Sequence, residues 1–468
     1  MRTGVARYGL LLLAGAVVVV LLAFTFGYGY HRDELYFLAA GQHLDWSYVD
    51  QGPLTPLIAR AMTEIAPGSF LVLRIPPALA AGGIVLLTGL TARELGGSRK
   101  AEMIAAACAA VSSVVLFNGH WLSTSTMDLL VWTAIGWLVV RSVRTGNDRL
   151  WLVIGVVLGV GLLNKPLPAF LMAGIAVGVV IAGPRRLLRS PYVWLGALIA
   201  VVLWLPWIIW QAQHGWPQFD VSRAIAAGGS KSSQPWWAVV PFQFLLVSPL
   251  LAPVWIVGLV RLFRGEYRFL AWAWVVLVVV FMATGGKPYY IAGLLPVLLA
   301  AGAVQIESWR WNKLLIPAIA LSAVVNLTIT LPVLPADQAE PVVGLNGDVG
   351  EMIGWPDFVQ TVADVRRTIP GDVVIFTRNY GEAGAIDRYG PELGLPSAYS
   401  GHNAYSSWGP PPVSGAPVIS IGVDLGGCRE AARITNKAGI HNDEWGQRVL
   451  VCAAPPWPQL WPELRHYG

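Results

Sequence analysis

Charge is scarce in this chain. Only 13% of its 468 residues are Asp, Glu, Lys or Arg, against about a quarter in an ordinary soluble protein. Hydrophobic residues make up 55%, and the mean hydropathy is +0.57. Together with repeated apolar runs, this describes a polytopic membrane protein. Nucleotide motifs are missing too. No Walker loop occurs, no Gly-x-Gly-x-x-Gly follows a strand, and no Gly-x-Ser-x-Gly is found. His31, His43, His214 and the acidic residues show no His-x-x-His or comparable metal-ligand spacing, so no metal set is assigned. There is no internal repeat and no low-complexity tract. The net charge of +5 is no nucleic-acid signal. Its basic residues fall in short clusters between apolar runs, as cytoplasmic loops of membrane proteins do.

What is present is a series of apolar segments near the roughly 20 residues that a bilayer requires. They predict about eleven spans, approximately 9–28, 70–92, 101–118, 125–141, 150–164, 167–183, 192–210, 241–260, 268–284, 289–305 and 313–331. Lys165-Pro166 interrupts the pair 150–183, which is read as two spans. Arg2 and Arg7, Arg93/Arg99/Lys100, Arg141/Arg144/Arg149, Arg185/Arg186/Arg189, Arg261/Arg264/Arg268 and Arg310/Lys313 then fall on every second connection. The positive-inside rule makes that side cytoplasmic, with the N-terminus. The 29–69 loop, the 211–240 loop and everything after 332 lie outside. Arg2 and Arg7 resemble a signal peptide's n-region, but the span is long and no small-x-small cleavage site follows, so an uncleaved anchor is expected. Many of the 22 Trp stand at span ends, where they anchor to the interface.

Ionisable residues gather at the outer ends of these spans. Asp33 and Glu34 follow the first span, held to the interface by Tyr36, Phe37, Leu38, Trp46 and Tyr48. A partly desolvated carboxylate there suits a base, although the same residues also read as a solvated loop end. Pro53, Pro56 and Pro67 divide the 29–69 loop into short amphipathic helices along the membrane surface. Asp128, after Ser123-Thr124-Ser125-Thr126-Met127, opens the fourth span. It is either functional or part of a Ser/Thr helix cap. Lys165 is a lone cation that could simply snorkel. Lys287, in Gly285-Gly286-Lys287-Pro288-Tyr289-Tyr290, lies between the ninth and tenth spans on the outer side.

After Pro332 the apolar runs shorten and polar residues, Gly and Pro increase. Trp355 to Thr368 has helical spacing. Val373–Phe376, Pro417–Val423 and Arg448–Val451 read as buried strands, and Glu382–Tyr389 and Cys428–Lys437 as helices between them. Residues 1–331 are thus expected to form a transmembrane domain, and residues 332–468 a small extracytoplasmic α/β domain. Of the three cysteines, Cys108 packs inside a span. Cys428 and Cys452 share the outer domain, in a compartment that permits disulfides, and are expected to bond.

Asp33-Glu34-Leu35-Tyr36, just after the first span, resembles the Asp-Glu-x-Tyr/His signature of GT-C glycosyltransferases. The protein O-mannosyltransferases and lipid A aminoarabinose transferases are the nearest types. The resemblance covers about residues 9–331 and matches the outer domain only in its placement. It implies a GT-C fold and an enzyme of the plasma (inner) membrane that takes a sugar from a polyprenyl-phosphate donor. Asp33 would be the catalytic base, with Glu34 beside it. Asp128 matches the family's second acidic site, which binds the acceptor or orients the base. Lys165 has a counterpart in a similar short connection. Lys287-Pro288-Tyr289-Tyr290, followed by Leu294-Leu295-Pro296, is similar to a Lys/Arg-x-x-Tyr…Leu-Pro pattern whose cation lies near the donor phosphate. A departing phosphate gains negative charge, which a fixed cation stabilises. Some GT-C relatives hold a cation, so a divalent ion stays open as a cofactor. Gln51, in Asp50-Gln51-Gly52-Pro53, replaces a basic residue of the family pattern and leaves the donor's identity open. The expected partners are that donor, membrane lipids and a lipid, glycan or protein acceptor, with no nucleic acid. A secondary transporter or flippase for a lipid-linked sugar is the alternative, because broken spans and intramembrane charges also suit it.

Overall fold

The computed structural model describes residues 2–413 and 415–468. The side chains of residues 2–7 and 311 lie outside the described residues, so the basic pair Arg2 and Arg7 is not placed. Up to residue 330 the chain is helical. Helix α1 (Arg2–Ala23) leads into a loop, expected above to lie outside, with α2 (Arg32–Gln42) and α3 (Leu54–Ile65). There follow α4 (Phe70–Glu94), α5 (Arg99–Ala110), α6 (Ser113–His120), α7 (Thr124–Thr145), α8 (Leu150–Leu162), α9 (Leu167–Ala182) and α10 (Pro191–Gln213). Beyond a surface helix, α11 (Pro217–Ala226), come α12 (Val239–Val247), α13 (Ala252–Arg264), α14 (Arg268–Thr284), α15 (Leu295–Ile306) and α16 (Leu315–Thr330).

Among the described residues, five helical stretches are long and apolar enough to cross a bilayer: α4, α7, α10, Pro288–Ile306 and Asn312–Thr330. Two bent pairs raise the number to seven: α5 with α6, bent by 57°, and α12 with α13, bent by 93°. The shorter apolar helices Tyr8–Ala23, α8, α9 and α14 stand where the remaining expected segments lie. The breaks have local causes. Pro166 and Pro249 lack a donor N–H and push the preceding residue out of the helical region. The bundle buries a continuous apolar core that includes Trp132, Ile135, Phe269 and Leu277.

After residue 330 the chain forms α17 (Glu340–Leu345), α18 (Gly347–Gly350) and α19 (Trp355–Arg367). Then come β1 (Val374–Thr377), α20 (Tyr380–Tyr389), β2 (Ala398–Ser400), α21 (Ala404–Ser407), β3 (Val418–Ile421), β4 (Cys428–Arg433), β5 (Arg448–Cys452) and α22 (Trp457–Leu464). The strands form one sheet in the order β2-β1-β3-β5-β4, parallel from β2 to β3 and antiparallel beyond. Two readings of the sequence are corrected here. Cys428–Lys437, expected as a helix, begins with edge strand β4, because pairing with β5 overrides the helix-forming residues of Cys-Arg-Glu-Ala-Ala-Arg. Strand β2 was not expected, being only three residues long. Cys428 and Cys452 stand opposite each other on β4 and β5 and form a disulfide.

The outer loop and the sheet domain share one core. Leu35, Tyr36 and Phe37 of α2 pack in the same cluster as Phe358, Ile375, Ile386 and Ile419.

Candidate active site

The site grows from the start of α2. His31 caps the helix: its Nδ1 accepts from the Asp33 N–H at 3.2 Å, and its own N–H donates to the Glu34 carboxylate at 3.0 Å. This capping box sets the directions of the neighbouring acids. Glu34 turns into the protein. It accepts two hydrogen bonds from Arg74, at 3.1 and 2.7 Å, and one from the Leu122 N–H at 3.1 Å. Arg74 also donates to the carbonyls of Thr25 (2.9 Å) and Gly29 (2.8 Å), and both side chains of the ion pair are fully buried. Glu34, expected beside Asp33 as a catalytic carboxylate, does not line the cavity that Asp33 faces. Its oxygens tie the start of α2 to α4 and to the turn between α6 and α7.

Asp33 turns the other way, into a cavity of about 470 Å³ between the bundle and the outer domain. The same cavity is lined by Asp50, Lys165, Lys287, Tyr289 and Tyr290. Two larger cavities, of about 610 and 540 Å³, lie elsewhere and contain no lysine. Lys165 is delivered by the break between α8 and α9. Asn164 fixes that break by donating to the Thr124 carbonyl (2.7 Å) and accepting from the Thr55 hydroxyl (2.7 Å). The outer loop adds backbone bonds from Gly52 to Asn164 (3.2 Å) and from Leu54 to Leu163 (3.1 Å). The Lys165 ammonium stands over the rings of Tyr289 and Tyr290, at 5.6 and 5.2 Å, a cation–π arrangement. Lys287 follows the left-handed Gly285 that ends α14. Gln243 secures its loop by donating to the Pro288 carbonyl at 2.8 Å.

The electrostatics follow from this crowding. Burial pulls Lys287 down to about 8; Lys165 nearby adds to the fall, and Asp33 and Asp50 oppose it. Burial also lowers Lys165, against the pull of Asp128, Asp33 and Asp50. Asp50 is pushed up to about 6 by burial, although it accepts from the Tyr36 hydroxyl at 2.6 Å and from Asn403 at 3.1 Å. Lys165 and Lys287 thus face one space with Asp33, Asp50, Tyr289 and Tyr290, and Arg32, Lys231, Asp348, Glu351, Tyr36 and Tyr380 line the same cavity, an arrangement suited to a substrate with an anionic leaving group and a protonated nucleophile.

The other singled-out residue, Asp128, is buried behind the cavity wall and accepts from Trp132 Nε1 at 3.1 Å. Ser123, not Asp128, caps α7. Among the described residues no three His, Cys, Asp or Glu side chains converge on a point where a metal could bind. Sequence reasoning missed Asp50 as a site residue, although its place after Tyr48 and before Gln51 was a signal. It also missed Tyr380 and Asn403, which the outer domain brings to the cavity from far along the chain.

Residues 50–210 match the family model of dolichyl-phosphate-mannose-protein mannosyltransferases. Over 361 residues, 69% of this chain, the sequence is 25% identical to the undecaprenyl phosphate-alpha-4-amino-4-deoxy-L-arabinose arabinosyl transferase of Pseudomonas savastanoi pv. phaseolicola, covering 66% of that protein. It is 27% identical over 259 residues to a transferase of the same description from Pseudomonas fluorescens, covering 44% of it. The chain thus spans less than two-thirds of the length of these curated relatives. The crystal structure of ArnT from Cupriavidus metallidurans in the apo state superposes with a TM-score of 0.62 at 13% identity, over 95% of this chain and 98% of that one. The chain shares the GT-C fold of that structure. A second GT-C structure, ArnT bound to undecaprenyl phosphate, superposes with a TM-score of 0.59 at 13% identity, over 94% of this chain and 97% of the other. The Archaeoglobus fulgidus oligosaccharyltransferase follows at 0.51 and 13% identity, over 82% of this chain and 63% of its own.

Proposed function

We propose that the protein is a membrane glycosyltransferase that moves a sugar from a polyprenyl-phosphate donor to an extracytoplasmic lipid, glycan or protein acceptor, with inversion. One observation carries this reading: Asp33 and the pair Lys165 and Lys287 face the same cavity. Asp33 takes the proton of an acceptor hydroxyl or amine. That atom attacks the anomeric carbon from the face opposite the phosphate. The bond from the anomeric carbon to the phosphate oxygen breaks, and the electron pair leaves with the polyprenyl phosphate. Lys287 and Lys165 meet the charge that develops there, in a cavity where water screens it poorly. Tyr289 and Tyr290 hold the Lys165 ammonium in place. The Asp128 carboxylate opposes the fall that burial imposes on the Lys165 pKa. The printed names of the curated relatives, which specify an undecaprenyl-phosphate-linked sugar, support a polyprenyl-phosphate donor.

About eleven spans, an N-terminus in the cytoplasm of a bacterial-type plasma membrane and an outer sheet domain fit this chemistry. A lipid-linked donor on that side needs no nucleotide. The gathering of charges in one cavity beside the sheet domain favours transfer over transport, which would string them along a midplane path. The test is to incubate the purified protein with a panel of polyprenyl-phosphate sugars and measure release of the polyprenyl phosphate. Release from at least one donor, abolished by Asp33→Asn, is expected. Folded protein that releases none from the whole panel would overturn the proposal.

A further inference from the structure

The outer domain reaches the reacting side chains themselves. Strand β1 ends at Thr377, and Arg378-Asn379 turns the chain into α20. Asn379 accepts from the Glu382 N–H at 3.0 Å, and the Glu382 carboxylate accepts from the Asn379 N–H at 3.3 Å. This second capping box makes Tyr380 the first residue of the helix. Strand β1 lies between β2 and β3, both parallel to it. Tyr380 therefore leaves the carboxyl end of β1 where the strand order reverses, the point at which open α/β sheets present their working groups.

Two glycines then let α20 lie directly on α2. A Cβ at Gly384 would stand 2.9 Å from the carbonyl carbon and oxygen of Leu35, and one at Gly381 would stand 2.9 Å from Arg32 Cβ. This close approach brings the Tyr380 hydroxyl to Asp33, where it donates to Oδ1 at 2.8 Å. The Tyr380 ring stacks on Tyr36 with centroids 4.5 Å apart, and the Arg32 guanidinium stands 4.8 Å from the centre of the Tyr380 ring. Tyr36 in turn donates to Asp50, which also accepts from Asn403 of the outer domain. Asp33 and Asp50 thus each receive a hydrogen bond from the C-terminal domain.

We propose that Tyr380 is a positioning residue for the base, so that the outer domain is part of the active site. The inference rests on Asp33 being that base. The hydroxyl occupies Oδ1 and fixes the carboxylate's rotamer, leaving Oδ2 to take the acceptor's proton. Without it the carboxylate turns freely, and near-attack geometry is reached less often.

The test uses the full chain in detergent or nanodiscs. Tyr380→Phe keeps the ring stack and removes only the hydroxyl. Loss of one hydrogen bond to a charged group should lower kcat by about 10- to 100-fold. KM for the polyprenyl-phosphate sugar should stay within about twofold, because both lysines are untouched. A role confined to domain packing would instead lower yield and melting temperature and leave kcat per folded molecule alone. A melting-temperature cycle of Tyr380→Phe, Asp33→Ala and the double variant, run without donor, should be non-additive. Wild-type kcat in Tyr380→Phe, or strictly additive melting shifts, overturns the proposal. If Asp33→Asn abolishes transfer while Tyr380→Phe does not, the positioning role alone falls. If Asp33→Asn keeps wild-type turnover, the reading of the base falls and the positioning role with it.

Discussion

Asp33 and Glu34 are neighbours in sequence and should fail in different ways when neutralised. Asp33→Asn keeps an amide oxygen that still accepts from Tyr380, so the fold loses little. What it loses is the proton acceptor, and general-base losses run to about 10²–10⁴-fold in rate. Glu34→Gln keeps the helix cap but removes the charge that faces Arg74, and both side chains of that pair are 0% exposed. A buried guanidinium left without its carboxylate costs about 3–5 kcal/mol. The remaining acceptors, the Thr25 and Gly29 carbonyls, do not replace that charge. The assay measures transfer rate per folded molecule beside thermal unfolding in one detergent. Asp33→Asn should melt like the wild type and turn over slowly. Glu34→Gln should melt much earlier, while its surviving folded fraction turns over within a few-fold of normal. A stable but inactive Glu34→Gln would refute the structural role of Glu34, and an active Asp33→Asn would move the base to Asp50.

Three further outcomes are expected. Lys287 is held near 8 and carries its charge below that value, so KM for the donor should be lowest in neutral buffer and rise as pH passes through 8. Lys287→Met should raise KM throughout and flatten that rise, and a wild-type KM constant from neutral to strongly basic pH contradicts the assignment. A cysteine placed at the exposed Ser407 should react with a membrane-impermeant thiol reagent on intact cells, and protection there would reverse the proposed orientation. Cys428→Ser should cost about 3 kcal/mol, the scale for closing a loop of this length, since the bonded cysteines are 24 residues apart. Alkylation without reductant should then label one cysteine, Cys108, in the wild type, and labelling of all three removes the disulfide.

The bundle was legible because its signal is redundant. Each span repeats the same apolar pattern, and Lys165-Pro166 marked a real break between α8 and α9. Asp33, Lys165, Lys287, Tyr289 and Tyr290 could be singled out because each stands where an apolar run begins or ends. Glu34 misled for a definite reason. Adjacent residues at a helix start point in different directions, and only Arg74, forty residues away, shows which one turns inward. The outer domain was less legible, because short strands carry little periodicity and β4 owes its conformation to β5 across the sheet. Tyr380 and Asn403 gave no local signal at all. Their role exists only once α20 has docked on α2, more than 340 residues earlier in the chain.

The division of labour in the cavity has a physical origin. Lys165 and Lys287 come from the bundle, and each sits at an interruption: Lys165 before Pro166, and Lys287 between Gly285 and Pro288, while Lys231 reaches the cavity from the 211–240 loop. An unbroken helix buries its backbone polar groups in its own bonds and turns its side chains to lipid or to other helices. An interruption frees backbone groups, which the membrane cannot satisfy. Here protein satisfies them, through Asn164 for one break and Gln243 for the other. Those same breaks are where a long cationic side chain can leave the bundle for an aqueous cavity. Asp33 and Asp50 come from the 29–69 loop, whose helix α2 is held by capping and by the sheet domain. Lys165 and Lys287 on one side and Asp33 and Asp50 on the other are therefore built by different parts of the chain, joined directly by the loop's bonds to Leu163 and Asn164, and the shared core of α2, α19 and α20 adds the sheet domain to the cavity. On this view the sheet domain cannot be removed to leave a working membrane half, since Asp33 would lose Tyr380, Asp50 would lose Asn403 and α2 would lose the apolar surface against which it folds.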